Sequence, residues 1–372
     1  MGRRLAWLAG VWWLWLCLSP AAADELDAYW RLDQYLVAHP EQAAASQTLK
    51  RLVRNAPQPA HLQQDQPVRI ALLSPGGQVS DYWRRNRQAL ETRLRLLGLN
   101  YQLLAYDRVP EQDERQQTQQ LVAALAADPD YLIYTLDSQV QHKYIARLLN
   151  RPRPKVILQN ITTPLRDWEA RPPLLYVGFD HQRGSRLLAD YFRRQAANRP
   201  QFDFAMLYRR PGYVSTARGD TFIEQMEQQP NSRLRLAFYT RSDRASARQA
   251  ALSALEQYPQ LDLLFACATD TALGALDAVK QKGLLGRVQV NGWGGGSQEL
   301  AALARGELAA TVMRINDDTG VAVAEAIQRD LQGLPLPRVF DGDLVLITQE
   351  TPKTVLQGLQ ERAFRYSDME QE

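Results

Sequence analysis

The chain has 372 residues, of which 45% are apolar and 23% are charged, and it contains no low-complexity tract. At about 100 to 200 residues per folded unit, this length predicts two or three globular lobes and excludes a disordered or fibrous protein. The formal net charge of +3 comes from interspersed basic and acidic residues, which argues against a nucleic-acid partner.

The N-terminus has the pattern of an export signal. Arg3 and Arg4 precede an uncharged apolar stretch at residues 5–18, and three alanines follow at 21–23. This pattern predicts a cleavable signal peptide over residues 1–23 and an exported mature chain. An uncleaved anchor is the alternative, because the flanks could lengthen the apolar stretch. A lipid anchor at Cys17 is disfavoured by the bulky residues that precede it.

The mature chain changes character at Val68. Residues 24–66 are polar and have a helical spacing of aromatic and leucine residues, so they predict a helical arm before the first domain. After that point, short apolar runs alternate with amphipathic helical segments. The predicted strands are 68–73, 101–106, 131–135, 155–158, 176–179, 204–208, 234–239, 261–268, 288–290 and 309–313.

This alternation predicts an α/β fold with mostly parallel strands and helices on both faces. Ten strands are too many for one comfortable open sheet, so two doubly wound, Rossmann-like lobes are expected. In such lobes ligands bind beyond the carboxyl ends of the strands. Polar and aromatic residues collect at those positions, in the segments 78–83, 159–163, 269–270, 291–297 and 314–318, and at Arg218. Amides, hydroxyls, guanidinium groups and indoles together are typical of a site for a small hydroxylated ligand.

Single members of this set also have ordinary structural explanations. Ser80 and Asp270 are good helix N-caps, and capping is the favoured explanation for either one alone. Trp83 lies on an apolar helical stripe and Arg218 could be a solvated helix residue. Asn160 begins an Asn-Ile-Thr sequon and also suits a strand-end turn. The site prediction therefore depends on the whole pattern.

Catalytic and metal-binding motifs are absent from the sequence. There is no GxSxG, HExxH or GxxxxGK[ST], and the four histidines are isolated from candidate nucleophiles. The two cysteines have no metal-ligand spacing, and the glycines of 292–296 lack the GxGxxG spacing of dinucleotide sites. Trp293, beside three glycines, is poorly placed for a core and is expected in the site. No enzyme, metal or cofactor is predicted.

Seven segments resemble the LuxP family of periplasmic receptors for the quorum-sensing signal autoinducer-2. They are GGQVSDYW (76–83), ILQNITTP (157–164), YVGFDH (176–181), ARGDTFI (217–223), NGWGGGS (291–297), TVMRINDDTG (311–320) and RAFRYSD (362–368). The resemblance implies a type I periplasmic binding protein, similar to ribose-binding proteins, in which three crossings join two lobes. The first lobe would comprise 68–177 plus 316–340, and the second 178–315 plus 341–372.

The resemblance also implies the ligand and the partner. The ligand would be autoinducer-2 as a furanosyl borate diester, an anion that Arg218 and Arg314 would meet, while Asp270 accepts hydrogen bonds from its hydroxyls. A membrane sensor histidine kinase of the LuxQ type would receive the signal in the periplasm. By motif, the family's ligand contacts fall on Gln78, Ser80, Trp83, Asn160, Arg218, Thr269, Asp270, Trp293 and Arg314.

Three other functions are alternatives to this one. A substrate-binding subunit of an ABC sugar transporter shares the fold and is the second choice, because a neutral sugar does not need two cations. A DNA-binding repressor built on the same lobes would need a helix-turn-helix where the export signal stands. An exported enzyme lacks its motifs.

Overall fold

The computed structural model describes residues 25–59, 61–108, 114–136 and 139–369. The predicted signal peptide, residues 1–23, lies outside the described residues. Within the described part, no helix has both the length and the apolar character needed to cross a membrane.

The first lobe is built on a six-stranded parallel sheet. Its order is β11-β5-β4-β3-β1-β2, and all of its pairings are parallel. Its central strands are apolar and buried on both faces, as a sheet covered by helices requires. The strands are β1 (Val68–Pro75), β2 (Tyr101–Arg108), β3 (Tyr131–Thr135), β4 (Lys155–Gln159), β5 (Leu175–Gly178) and β11 (Val339–Asp341).

The second lobe has a six-stranded sheet of order β12-β10-β9-β8-β6-β7, in which only β12 runs antiparallel to its neighbour. The predicted α/β fold with two doubly wound lobes is thus confirmed. The strands are β6 (Phe202–Tyr208), β7 (Ser232–Tyr239), β8 (Leu263–Ala266), β9 (Gln289–Gly294), β10 (Ala310–Arg314) and β12 (Leu344–Thr348). The apolar pattern did not predict β11 and β12, because one has three residues and the other is largely half-exposed.

Helices cover both faces of each sheet. A π-helical stretch, Thr216–Asp220, joins α7 to α8, and short 3-10 turns lie at Glu25–Ala28 and Arg166–Trp168. The helices are α1 (Leu32–Ala38), α2 (Pro40–Arg54), α3 (Tyr82–Leu96), α4 (Glu114–Ala126), α5 (Gln139–Leu148), α6 (His181–Ala196), α7 (Tyr213–Ser215), α8 (Thr221–Glu227), α9 (Arg244–Gln257), α10 (Thr269–Gln281), α11 (Ser297–Ala304), α12 (Asp317–Leu331) and α13 (Lys353–Ala363).

The described chain passes between the two sheets after β5, after β10 and between β11 and β12. The tail departs from the predicted division, which placed all of 341–372 in the second lobe. Ala363 and Phe364 pack in a second-lobe core, but Tyr366 is buried in the core of the first lobe. Backbone amides of Tyr366 and Ser367 donate to the Asp317 carboxylate at 2.8 and 2.7 Å. The tail therefore returns to the first lobe, because its aromatic ring and two amide groups find partners there.

The N-terminal segment, residues 25–59, is an integral part of the first lobe and not a separate arm. Leu49 and Val53 of α2 are fully buried in the same core as β1 and α12. The segment also reaches the second lobe, since the Tyr29 ring lies 4.6 Å from that of Tyr213. The helical part of the predicted arm over 24–66 ends at Arg54, where Asn55 takes an extended conformation.

Candidate ligand-binding cleft

A cavity lies between the lobes, at the carboxyl ends of the strands of both sheets. It has an empty volume of about 480 Å³, including its opening to solvent. It brings together all nine residues predicted for the site. The lining residues are Pro75, Gln78, Ser80, Tyr82, Trp83, Asn160, Arg209, Arg218, Ser242, Ala268, Thr269, Asp270, Trp293 and Arg314.

Arg218 is buried in the wall of this cavity, with 4% of its surface exposed. It lies in the π-helical turn, a local geometry often found at functional sites. Its guanidinium carbon is 3.5 Å from the centre of the Trp293 ring, and Nη1 donates to the Cys267 carbonyl at 2.7 Å. Burial lowers the pKa of Arg218 well below its usual value, and the charge of Arg314 adds to this effect. Among the described residues, no carboxylate forms an ion pair with Arg218.

Arg314, at the end of β10, is the second buried cation of the cavity. It is 6% exposed, and its guanidinium carbon lies 3.8 Å from the centre of the Tyr82 ring. Burial lowers the pKa of Arg314, and its Nε has no hydrogen-bond partner within the described part of the chain. Arg314 forms no direct ion pair among the described residues, although the nearby Glu299 and Asp81 carboxylates favour its charged form. A buried cation without an ion pair is costly, and an aromatic face offsets only part of that cost. Both arginines are therefore set up to receive negative charge.

The glycine at position 294 makes room for Arg314. Gly294 has φ +146°, and a Cβ on it would lie 2.7 Å from Arg314 Nη2. The loop around it is held by the buried Glu299 carboxylate, which accepts from the amides of Trp293 at 3.1 Å and Gly295 at 2.8 Å. Glu299 also accepts from the Thr311 hydroxyl at 2.6 Å. The glycine run thus allows close packing around a cation.

His181 connects Arg218 to the first lobe. The Arg218 Nε donates to His181 Nδ1 at 3.3 Å, so the ring proton is on Nε2, which donates to the Asn160 carbonyl at 2.9 Å. Burial holds the pKa of His181 well below its usual value, and Arg218 lowers it further. His181 is therefore a neutral bridge between the lobes. Asn160 has the left-handed φ of +62° that suits a strand-end turn, and its buried Oδ1 has no partner among the described residues.

Asp270 closes the cleft instead of capping its helix. Its carboxylate accepts from the backbone amides of Val79 at 2.8 Å and Ser80 at 3.2 Å, both in the first lobe. Burial raises the pKa of Asp270, although these two hydrogen bonds oppose the rise. The favoured N-cap explanation for Asp270 is wrong, because α10 has no side-chain cap. Ser80 does not cap α3 either, although its hydroxyl accepts weakly from the Tyr82 amide at 3.4 Å.

The two indoles of the cavity differ in burial. Trp293 is 1% exposed and packs in a second-lobe core as well as lining the cavity, so the expectation that it suits no core is wrong. It fits because Gly184 leaves space: a Cβ there would lie 2.6 Å from the Trp293 ring. Trp293 Nε1 donates to the Ser185 hydroxyl at 3.2 Å. Trp83 is half-buried and its ring makes an edge contact with Tyr82 at 4.7 Å.

Three polar residues of this site lie outside the predicted segments and are not among the predicted contacts. Arg209 and Ser242 line the cavity, and Glu299 holds the glycine loop, whereas Tyr82 falls within the predicted segment 78–83. Arg209 directly follows β6, so the strand-end rule could have found it. Nothing in the sequence distinguishes Glu299 from an ordinary surface glutamate of α11.

Comparison with known proteins agrees with this geometry. The two lobes and the cleft define a class of two-domain binding proteins. The chain belongs to the family of the periplasmic binding protein domain, whose family model matches residues 70–335. This membership confirms the prediction that the chain is a binding protein and not an enzyme.

Solved structures share the fold at low sequence identity. One is an ABC transporter periplasmic solute binding protein from Actinobacillus succinogenes with bound D-allose, with TM-score 0.66, 21% identity, and coverage of 77% of this chain and 99% of that one. Another is a carbohydrate transporter solute binding protein from Agrobacterium radiobacter in complex with D-arabinose, with TM-score 0.69, 18% identity and coverages of 80% and 99%. A galactofuranose binding protein has TM-score 0.70, 16% identity and coverages of 80% and 100%.

Proposed function

We propose that the chain is a periplasmic receptor for a small, hydroxylated, anionic ligand, and that this ligand is autoinducer-2 as its borate diester. The observation that carries the proposal is the pair of buried arginines, Arg218 and Arg314, neither of which forms a direct ion pair with a carboxylate in the described protein. Only one lining residue, Asp270, is acidic, so the cavity wall has excess positive charge. A tetrahedral borate would neutralise that excess through charge-assisted hydrogen bonds.

Polar groups around the arginines suit the rest of such a ligand. The unpartnered Asn160 Oδ1 can accept from a hydroxyl, and Thr269 and Gln78 offer further donors and acceptors on opposite sides of the cleft. Trp83 and Trp293 supply apolar faces for a ring. Contacts from both lobes would favour the closed form, and a LuxQ-type sensor kinase that responds to closure is the partner we propose.

The second candidate is a substrate-binding subunit of an ABC sugar transporter. The comparisons favour it over signalling, because the similar structures include transporter solute-binding proteins named with D-allose and D-arabinose. The unpaired arginines favour the first candidate, since a neutral sugar leaves their charge uncompensated. Neighbouring genes for a hybrid sensor kinase, or for a permease with its ATPase, would discriminate between the two partners.

Titration of the purified mature chain tests the ligand. We expect autoinducer-2 to bind more tightly when borate is added to a borate-free preparation, and to bind more tightly than D-ribose, D-allose or D-arabinose. Isothermal calorimetry with each ligand, with and without borate, measures this. Tight binding of a neutral sugar with no response to borate would contradict the proposal and support the transport function.

Substitution of Gly294 by alanine is expected to weaken binding of borated autoinducer-2 by about tenfold, because the new Cβ displaces the Arg314 guanidinium. Gly306→Ala is the matched control. Gly306 also has positive φ, at +73°, but no atom lies within 4 Å of its Cβ position. Both variants should lose some stability from backbone strain, and only Gly294→Ala should lose affinity in the calorimeter. Equal affinities for the two variants would show that Arg314 is not held by this contact.

A further inference from the structure

A third arginine, Arg209, lines the same cavity and has no role in the function proposed so far. It follows β6 directly, at the carboxyl end of the second-lobe sheet. Unlike Arg218 and Arg314, which are buried, Arg209 is half-buried. It is therefore the cation of the cavity that is most open to solvent.

The backbone on both sides of Arg209 is fixed by hydrogen bonds from neighbouring loops. The Tyr208 carbonyl accepts from the Thr240 amide at 3.1 Å and from its hydroxyl at 2.8 Å. The Arg210 amide donates to the Ser242 hydroxyl at 3.3 Å. Ser242 itself has a strained φ of +63° and lines the cavity. This frame holds Arg209 at the cleft.

The charge of Arg209 is not compensated by an ion pair among the described residues. It acts on the other charged groups of the site: it lowers the pKa of Arg218 and of Arg314 by repulsion, after the larger effect of burial. It also opposes the burial-driven rise in the pKa of Asp270. A cation placed among two other cations raises the electrostatic cost of the empty site and increases its attraction for an anion.

We propose that Arg209 is a further specificity-determining residue of this cleft: a cation on its solvent-facing side that attracts anionic ligands and favours them over neutral sugars. This inference rests on the proposed anionic ligand. Because low-dielectric walls concentrate the field of a charge in a cleft, the main effect should be on the association rate. Neutral sugars carry no net charge and are not attracted in this way, so their association rate should be independent of Arg209.

The test compares Arg209→Met with Arg210→Met. Arg210 is the next residue, carries the same charge, is exposed and does not line the cavity. Stopped-flow association of borated autoinducer-2, followed by tryptophan emission at several salt concentrations, gives the rate and its ionic-strength dependence. We expect Arg209→Met to lower the association rate by about three- to tenfold at low salt and to flatten the salt dependence. Arg210→Met should change both by less than about twofold.

Arg209→Lys should retain most of the salt dependence, because it keeps the charge. Equal effects of the two methionine variants would overturn the proposal, since net charge alone would then explain them. A loss confined to the dissociation rate and insensitive to salt would also overturn it. Measuring Arg218→Met beside Arg209→Met distinguishes failure of the Arg209 proposal from failure of the proposed function. If Arg218→Met weakens binding and Arg209→Met does not, only the role of Arg209 fails. If wild type does not bind the borated ligand, the proposed function fails.

Discussion

Replacing Arg218 or Arg314 with methionine is expected to weaken binding of borated autoinducer-2 by about 1.5 to 3 kcal/mol in each case, the scale of a lost hydrogen bond to a charged group. Methionine keeps much of the apolar stem and removes the N–H donors. Each substitution would also replace the guanidinium that lies over an aromatic ring, Trp293 for Arg218 and Tyr82 for Arg314, with an uncharged thioether. Calorimetry of each single variant and of the double variant measures the losses.

The two losses are expected to be non-additive, because both cations would act on one anion. The double variant should lose less than the sum of the single losses, and its affinity should no longer respond to borate. Arg248→Met is the control: Arg248 is exposed on α9, and its side chain bonds only to Gln281 among the described residues. Single variants that keep the wild-type affinity and its borate response would show that the arginines have another role.

Arg218→Met is also expected to have little effect on the stability of the unliganded protein. Arg218 is buried with its charge unpaired in the described protein, which costs free energy in the folded state. Its removal should therefore not lower the melting temperature by much, even though it breaks hydrogen bonds to His181 and Cys267. A binding residue whose loss costs affinity and little stability is typical of a functional site. A large drop in melting temperature would indicate a structural role instead.

The strand-end rule found the cleft because all strands of a parallel sheet end on the same edge. Gln78 after β1, Asn160 after β4 and Arg314 at the end of β10 are far apart in sequence and meet in one cavity, because the strand ends of both sheets face it. The rule does not say which polar residue faces the cavity. Asp270 resembled a helix cap because its partners, the amides of Val79 and Ser80, lie 191 and 190 residues away in the other lobe.

The fold prediction missed β11 and misplaced the N-terminal helices for a similar reason. Strand β11 has only three residues, too few for a pattern, and it pairs with β5 across more than 160 residues of sequence. The N-terminal helices looked like a separate arm because α2 is mostly polar. Only Leu49 and Val53 of α2 are fully buried, and one narrow stripe does not show what it packs against. The placement of β11 and of α2 depends in both cases on contacts with residues that are distant in sequence.

Deleting residues 25–54 is expected to prevent stable folding of the first lobe. The deletion would uncover the core beneath Leu49 and Val53. It would also remove an acceptor of the buried Arg93: the Leu52 carbonyl, which receives its Nη2 at 2.9 Å. Arg93 would retain Glu325, at 2.5 Å, but would become partly solvated on one side. Exposure of the apolar core is therefore the main expected cost, and the lost acceptor of Arg93 adds to it.

A milder variant measures how much the buried face of α2 contributes to stability. Leu49→Ala should lower the free energy of unfolding of the first lobe by about 2 to 5 kcal/mol, as expected for a fully buried leucine. Val37→Ala is the matched control on α1, because Val37 is 83% exposed, and its effect should be within about 0.5 kcal/mol. Urea unfolding of both variants measures the difference.

Ligand affinity distinguishes packing from a direct role in the cleft. None of the described N-terminal residues lines the cavity, so folded Leu49→Ala protein should bind borated autoinducer-2 within a few fold of wild type. Loss of binding by a variant that still unfolds cooperatively would mean that the segment acts on the ligand. An effect of the N-terminal segment on ligand affinity would be transmitted through the contact between Tyr29 and Tyr213, because Tyr213 lies in the helix that leads to Arg218. Tyr29→Phe, which keeps the ring, should then bind normally, and Tyr29→Ala should reproduce the loss.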